Sequence, residues 1–252
     1  TLYLSIGTVA IRTNSSPRLI GKTLIQNHQW TQIALTYDSS SAIFRVYING
    51  VLDTSSTTAS ASPISNTDSL FIGVGSNGPF KGMMDDIRIW NQLNSASGIS
   101  SIMRMSLGTN SGFYSGLVAS YTFDNANPSG SFFSLNDRSG NNHNAVNRGV
   151  TARSFNDVPG NTISLNECVI LDGTGDYLSG PDNSIVSPIS GITAEAWIYP
   201  KSFNADQNIL STIIHKGSSN GAVTDYRMSV NLKKFNLTIN EAETHILIGP
   251  NG

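Results

Sequence analysis

Two neighbouring segments decide the fold: W-T-Q-I-A-L-T-Y-D at residues 30–38 and F-R-V-Y-I-N-G-V-L-D at residues 44–53. In both, apolar side chains alternate with polar or small ones at a period of two. This alternation predicts strands with one buried face, because successive side chains leave opposite sides of a strand. The dipeptide Asn49-Gly50 predicts a tight turn after the second strand, since both residues tolerate positive φ.

Two further motifs continue the run: S-L-F-I-G-V-G at residues 69–75 and F-K-G-M-M-D-D-I-R-I-W-N at residues 80–91. Strands are predicted within them at 70–74 and 86–90, and the whole run is typical of an all-β sandwich or barrel. The order and spacing of the four motifs resemble the laminin-G-like domains of the concanavalin A-like lectin/glucanase superfamily. That resemblance implies a jelly-roll sandwich of two antiparallel sheets with one short helix, expected at residues 95–104.

The second half of the chain resembles the opening of the same family. It contains L-V-A-S-Y-T-F-D at 117–124, L-D-G-T-G-D-Y-L at 171–178 and T-A-E-A-W-I-Y-P at 193–200. The resemblance therefore divides the chain in an unusual order, with the back half of one domain first, then a linker, then the front half of a second domain. These parts are residues 1–105, 106–116 and 116–252. We expect the two halves to form one composite sandwich closed in permuted order, with strand 86–90 beside strand 117–123.

A faint internal repeat bears on the origin of this order. L-Y-L-S-I at 2–6 resembles Y-R-M-S-V at 226–230. The overlap favours a window cut from tandem repeats over a circular permutant. The duplicated hairpins at 1–12 and 226–240 would then compete for one position, and both ends of the chain would be cuts through a longer protein.

Composition restricts the function classes. The chain has 252 residues, of which 13% are charged, and a net charge of −2, so no basic stripe supports nucleic-acid binding. No 18-residue apolar run predicts membrane insertion. The abundance of Ser, Thr, Asn and Gly is typical of exported β-rich proteins and predicts an extracellular or cell-surface location. The single cysteine, Cys168, lies in an apolar strand and is expected to be buried.

Paired carboxylates need attention because the superfamily contains glucanases. Such enzymes require an acid and a nucleophile or base about 5–10 Å apart, and the resemblance implies the pattern E-x-D-x-x-E. Glu195, in T-A-E-A-W-I-Y, is the nearest match, but Trp197 and Pro200 stand where partner carboxylates would be. The sequence therefore predicts that the chain is not an enzyme.

Clustered aspartates indicate a structural Ca²⁺ site instead. Asp85 and Asp86 adjoin the predicted strand 86–90, and Asp124 ends strand 117–123. Carboxylate oxygens are hard ligands that suit Ca²⁺, and the resemblance places a calcium-binding aspartate at Asp85. The alternative is that these aspartates cap turns and accept bonds from backbone amides.

The remaining chemistry-bearing residues have plain interpretations. The tryptophans could stack on sugars, but packing inside or at the rim of the sandwich is favoured; they are Trp30, Trp90 and Trp197. His28 and His143 are expected to be solvated in polar loops, and His215 to be packed. We expect a non-catalytic binding or adhesion module that recognises a glycan or an extracellular protein, next to further repeats of its own chain. The alternatives are an accessory carbohydrate-binding domain of a larger glycoside hydrolase, or a glycosidase itself.

Overall fold

The structure, a computed structural model, describes residues 18–57, 67–75, 78–105, 107, 112–124, 134–154, 167–182, 190–203, 211–217, 223–231 and 234–242. Its strands, in chain order, are β1 (Arg18–Leu24), β2 (Thr31–Asp38), β3 (Ile43–Ile48), β4 (Val51–Thr57), β5 (Leu70–Ile72), β6 (Lys81–Trp90), β7 (Leu117–Tyr121), β8 (Ser134–Leu135), β9 (Ala145–Arg148), β10 (Thr151–Ser154), β11 (Glu167–Asp172), β12 (Tyr177–Gly180), β13 (Gly191–Pro200), β14 (Ser211–Gly217), β15 (Val223–Asn231) and β16 (Lys234–Ala242). The helix in this part of the chain is α1 (Ala96–Ile102).

The strands form two antiparallel sheets. The first sheet has the order β1-β16-β15-β14-β5-β12-β9-β8, and the second has the order β10-β11-β6-β13-β2-β3-β4, with β7 also paired to β6. Together with the single described helix, this is the predicted all-β sandwich of two antiparallel sheets. Both sheets combine strands from the two halves of the chain. In the second sheet β13 lies between β2 and β6, and in the first sheet β5 lies between β12 and β14.

The local chemistry of the sequence explains the strand ends. Asn49 and Gly50 have φ values of 51° and 75°, so they make the predicted turn between β3 and β4. Ser95 caps α1, with its side chain accepting a hydrogen bond from the amide of Gly98. The hydrophobic alternation of the strands places one row of side chains from each sheet in a shared core, which includes Ile33, Leu35, Tyr37, Ile72, Met84, Ile89, Val169, Leu178, Ala194, Ile198, Ile214 and Met228.

Strand β6 is the junction of the second sheet. One edge pairs with β13, while the other edge pairs first with β11, along residues 81–84, and then with β7, along residues 87–90. The predicted strand at 86–90 therefore lies beside the predicted strand at 117–123, and it begins five residues earlier than expected, at Lys81. The two short partners meet β6 end to end, so a gap in the pairing falls at Asp85 and Asp86.

A β-bulge lies opposite that gap, in the pairing of β6 with β13. Trp197 of β13 faces Asp85 and Glu195 faces Arg88, so two residues of β6 oppose one residue of β13. Asp86 adopts φ 47°, a left-handed conformation that aspartate tolerates better than most non-glycine residues. The extra residue shifts the in–out alternation of β6 by one position. Asp85 and Arg88, which are three residues apart, therefore project from the same face of the sheet.

The single cysteine and two of the histidines, His143 and His215, are buried in the sandwich. Cys168 is buried, as predicted, and His215 is fully buried. The prediction that His143 is solvated is wrong: its side chain is buried, and Nδ1 lies 2.8 Å from the backbone oxygen of Val118. The polar loop at 136–144 folds onto β7 because the Asp137 carboxylate accepts hydrogen bonds from the amides of Ser120 and Ser139.

Two expectations concern segments that are described only in part. The hairpin predicted at 226–240 lies within β15 and β16, and β16 pairs with β1. Its possible competitor at 1–12 lies outside the described residues. Of the expected linker at 106–116, residues 107 and 112–116 are described, and Leu107, Phe113 and Tyr114 pack against the cluster of Trp90, Ile102 and Leu117.

Candidate functional site

The outer face of the second sheet brings together most of the residues that the sequence singled out. It has two halves. In the covered half, α1 and the segment after it lie over the sheet: Ile99 packs with Ala34 and Tyr47, and Ile102 packs with Trp90. We call the rest of this face the open half because several of its side chains are partly or fully exposed. Its residues are His28, Trp30, Met83, Asp85, Asp124, Ile170 and Tyr199, of which Met83 and Asp85 are buried.

A buried ion-pair network occupies the covered half. Arg88 Nη1 lies 3.0 Å from Glu195 Oε1, and Arg88 Nη2 lies 3.0 Å from Asp86 Oδ2. The guanidinium also donates to the backbone oxygens of Ile102 and Met105, which ties the end of α1 to the sheet. Because the planar guanidinium carries several fixed donors, a single arginine can satisfy all four acceptors.

Gln32 completes this network on the side of Glu195. Its Nε2 donates to Glu195 Oε2 over 3.1 Å, and its Oε1 accepts from the amide of Gly50. Both carboxylate oxygens of Glu195 are therefore bonded, and the side chain is buried. Burial raises the pKa of Glu195 to about 6, although Arg88 acts in the opposite direction.

The pattern around Glu195 does not predict this pairing, because the partner lies on a different strand. Its partner is across the ladder, on β6, and the bulge at Asp86 sets the register that brings Arg88 opposite to it. The motif D-D-I-R does indicate such a partner, because an arginine in a buried strand requires a facing carboxylate.

Three aspartates meet at the junction of β6, β7 and β11. Asp85 and Asp86 lie in the gap between the two short partners, and Asp124 follows the end of β7. Asp124 accepts hydrogen bonds from the Glu167 backbone and the Thr122 side chain. The structure thus places the predicted metal residues near one another, at the boundary between the covered and open halves.

These carboxylates are poorly compensated. Burial, together with the charges of Asp86 and Asp124, raises the pKa of Asp85 well above its usual range. Burial also raises the pKa of Asp86 despite its ion pair with Arg88, and burial and the Asp86 charge raise the pKa of Asp124. The site therefore favours protons, or another cation, over the bare carboxylates.

The fit of these residues to Ca²⁺ is mixed. Asp85 and Asp124 offer hard oxygen ligands whose mutual repulsion a divalent cation would relieve. Asp86 fits less well, because Oδ2 is bonded to Arg88. Across the described ranges, no group of three or more His, Cys, Asp and Glu residues is arranged as a metal site.

Aromatic rings lie on the open half, next to this acidic junction. Trp30 and Tyr199 pack with their centroids 5.5 Å apart, and His28 approaches the same tyrosine edge-on at 6.0 Å. Trp30 and Tyr199 are partly exposed, and His28 is exposed. Trp30 Nε1 is buried and has no hydrogen-bond partner within the part of the chain that the structure describes.

The other two tryptophans have structural roles, as predicted. Trp90 and Trp197 are buried in the covered half, and their indole nitrogens donate to the backbone oxygens of Phe113 and Met103. Arg104 lies over the Trp197 ring, 4.9 Å from its centroid. Trp30 therefore differs from both in having a partly exposed ring and an unbonded nitrogen.

The comparison with family models agrees with this fold. Residues 4–100 match a laminin G model whose description is the concanavalin A-like lectin/glucanases superfamily. This segment is laminin-G-like. The laminin-G-like segment covers less than half of the chain and contains the turn at Asn49-Gly50, most of α1 and the bulge at Asp86.

The other comparisons add limits. A search of the curated proteins finds no match to the chain. No helix among the described residues is long and apolar enough to cross a membrane. The laminin-G-like assignment supports a module that binds carbohydrate or protein, as domains of this kind do.

Proposed function

We propose that the chain is a non-catalytic extracellular binding module that recognises carbohydrate through the open half of its second sheet. The observation that carries the proposal is the partly exposed pair Trp30–Tyr199, 5.5 Å apart, beside the carboxylates of the junction. Small-molecule sites commonly combine aromatic side chains with a few polar groups that fix the orientation of the ligand.

The partial exposure of both rings supports a ligand rather than packing alone. The Trp30 and Tyr199 rings would contact the apolar face of a sugar, and the neighbouring polar groups would fix its orientation.

The bonding of Glu195 supports a non-catalytic role. Its oxygens are bonded to Arg88 and Gln32, and α1 with the segment after it lies over the face of the sheet that carries Glu195. A general acid must reach a glycosidic oxygen, and a second carboxylate must face it across the bond. The arrangement around Glu195 supports an internal ion pair instead.

Calcium would be a structural adjunct to this site. Asp85 and Asp124 would hold the ion, and Asp86 would remain paired with Arg88. The charge of the ion would replace the protons that the buried carboxylates otherwise favour and would fix the ends of β7 and β11 against β6.

The experiment is a glycan-array screen of the protein, with Ca²⁺ and with a chelator, followed by binding measurements on the glycans that are retained. Trp30→Ala and Tyr199→Ala should each weaken binding by roughly tenfold or more, equivalent to about 1.4 kcal/mol. The control is Val51→Ala, on the edge strand β4, where the side chain is 69% exposed and outside the open half.

Two results would overturn the proposal. One is glycan binding that Trp30→Ala and Tyr199→Ala leave unchanged while the thermal melts are preserved. The other is hydrolysis of β-glucans by the protein that is lost in Glu195→Gln, since this would assign catalysis to a residue that we place in an ion pair.

A further inference from the structure

The outer face of the first sheet carries a second aromatic cluster, far from the open half in the topology of the sandwich. It is centred on Phe71 in β5. The neighbours of Phe71 in the strand, Leu70 and Ile72, point into the core, so Phe71 itself lies on the opposite, outer face.

The register of the sheet aligns this phenylalanine with side chains of four neighbouring strands. Phe71 faces Ser179 of β12 on one side and His215 of β14 on the other. Ser179 in turn faces Val146 of β9, and His215 faces Arg227 of β15. A single row therefore crosses five adjacent strands of the first sheet.

Ring contacts join three aromatic side chains around Phe71, with the Tyr177 ring tilted 55° from that of Phe71. The Phe71 and His215 rings stack with centroids 6.2 Å apart and planes 29° from parallel. Tyr177 lies diagonally across the strand boundary, with its centroid 6.0 Å from that of Phe71. Burial, with the charges of Arg227 and Lys216, lowers the pKa of His215 to about 4, so the imidazole at the base of the cluster is neutral at pH 7.

One end of the row is open and the other is closed. His215 and Arg227 are buried, whereas Phe71, Tyr177 and Ser179 are partly exposed. Beyond them, β9 presents Val146, 43% exposed, and an exposed Arg148, which pairs in register with Tyr177. The open end thus combines two rings with a hydroxyl and a guanidinium, which can donate hydrogen bonds.

We propose that Phe71 and Tyr177 form a second sugar-stacking platform, so that the module binds two glycan chains, one on each face of the sandwich. Ser179 and Arg148 donate hydrogen bonds to ring hydroxyls of the second sugar. This inference rests on the proposed function for the class of ligand, but not for the site, because no residue is shared with the open half. Two opposed sites would allow one module to bridge two polysaccharide chains.

The positions of the tryptophans separate the two sites experimentally. The sequence has three tryptophans, and all of them belong to or precede strands of the second sheet. Indole fluorescence therefore reports on the open half, while calorimetry reports on both sites. The probes are neutral hexasaccharides, laminarihexaose, cellohexaose and mannohexaose, each titrated to millimolar concentration.

The expected result with a binding hexasaccharide is two molecules per chain by calorimetry. Phe71→Ala and Tyr177→Ala should each weaken one of the two events by roughly tenfold and leave the fluorescence change intact. Trp30→Ala should do the reverse. Phe71→Trp keeps a flat ring, so it should retain both events and introduce a fluorescence response from the first sheet.

The outcomes distinguish this inference from the proposed function. Binding that survives in Trp30→Ala but is lost in Phe71→Ala would retain the second platform and overturn the proposed site. Two events that Phe71→Ala, Tyr177→Ala and Phe71→Trp all leave unchanged would overturn the second platform alone. A single event that only Trp30→Ala removes would also overturn it, as would the absence of any binding.

Discussion

The covered and open halves of the second sheet's outer face share strands but differ in how their charged groups are paired. In the covered half, Glu195, Gln32 and the Arg88 guanidinium are joined in one network beneath α1, in which only Arg88 Nε has no partner among the described residues. In the open half, the Trp30 indole nitrogen has no partner in the described part of the chain, and Asp85 and Asp124 repel each other.

The difference indicates where stability and binding are located. Paired charges that join neighbouring strands fix one arrangement of those strands, whereas buried carboxylates that repel each other lower stability. The covered half thus has the properties of a structural network, and the open half is where we propose that a ligand binds.

The largest expected effect comes from breaking the covered half. Arg88→Met leaves Asp86, Glu195 and two backbone oxygens without their donor, so the free energy of unfolding should fall by about 3–5 kcal/mol. Urea denaturation measures this loss. Arg104→Ala is the matched control, because it removes an exposed arginine stacked on Trp197 and should cost only about 0.5–1 kcal/mol. Equal losses in the two variants would contradict the distinction between the halves.

The second effect is a pH dependence from Glu195. Its pKa is raised from 4.5 to about 6 in the folded protein, so the folded state holds the proton more tightly than the unfolded state. Its contribution is therefore fully present below pH 4.5 and is lost as pH rises to about 6, by about 2 kcal/mol in total.

The variant Glu195→Gln isolates that contribution. His215, whose pKa is lowered to about 4, changes stability in the opposite direction over an overlapping range. The quantity to compare is thus the difference between the wild type and Glu195→Gln in urea melts from pH 4 to pH 7. A difference that does not vary with pH would show that Glu195 does not titrate in this window.

A third, smaller effect concerns calcium in the open half. A tenfold excess of Ca²⁺ over its dissociation constant should stabilise the fold by about 1.4 kcal/mol and raise the melting temperature, and a chelator should reverse this. Asp85→Asn should abolish the calcium response. Without calcium, the same variant should be slightly more stable than the wild type, because it removes a buried, repelled carboxylate. A melting temperature that Ca²⁺ leaves unchanged would show that the protein does not bind the ion at this site.

The smallest effect on stability is expected at the aromatic pair. Tyr199→Ala truncates a partly exposed side chain, so it should cost about 1 kcal/mol or less in thermal or urea unfolding, while glycan binding weakens roughly tenfold. A large loss of stability with unchanged binding would make Tyr199 a packing residue and would extend the covered half across the whole face.

Much of the fold could be predicted from the sequence because its determinants are local. Alternation predicted β2 and β3, the dipeptide Asn49-Gly50 predicted the turn that follows β3, and a short helix was expected where α1 lies. Asp172 also acts locally, since its carboxylate accepts hydrogen bonds from the backbone and side chain of Thr174 in the turn after β11.

The unpredicted features depend on register across strands. The Arg88–Glu195 pair requires a bulge at Asp86 that shifts β6 against β13, and no local pattern encodes that shift. The burial of His143 depends likewise on a loop that the Asp137 carboxylate folds onto β7. Trp30 is partly exposed whereas Trp90 and Trp197 are buried. This difference follows from where α1 ends on the sheet.

The most direct test of the open half is the set of indole N–H signals in an NMR titration with a glycan that the array identifies. Trp90 and Trp197 are internal controls, because their indole nitrogens already donate to backbone oxygens and both residues lie in the covered half. The account predicts that the Trp30 signal shifts as a sugar ring stacks on the partly exposed indole, while the other two stay in place. Glycan binding that leaves the Trp30 signal unmoved would contradict it.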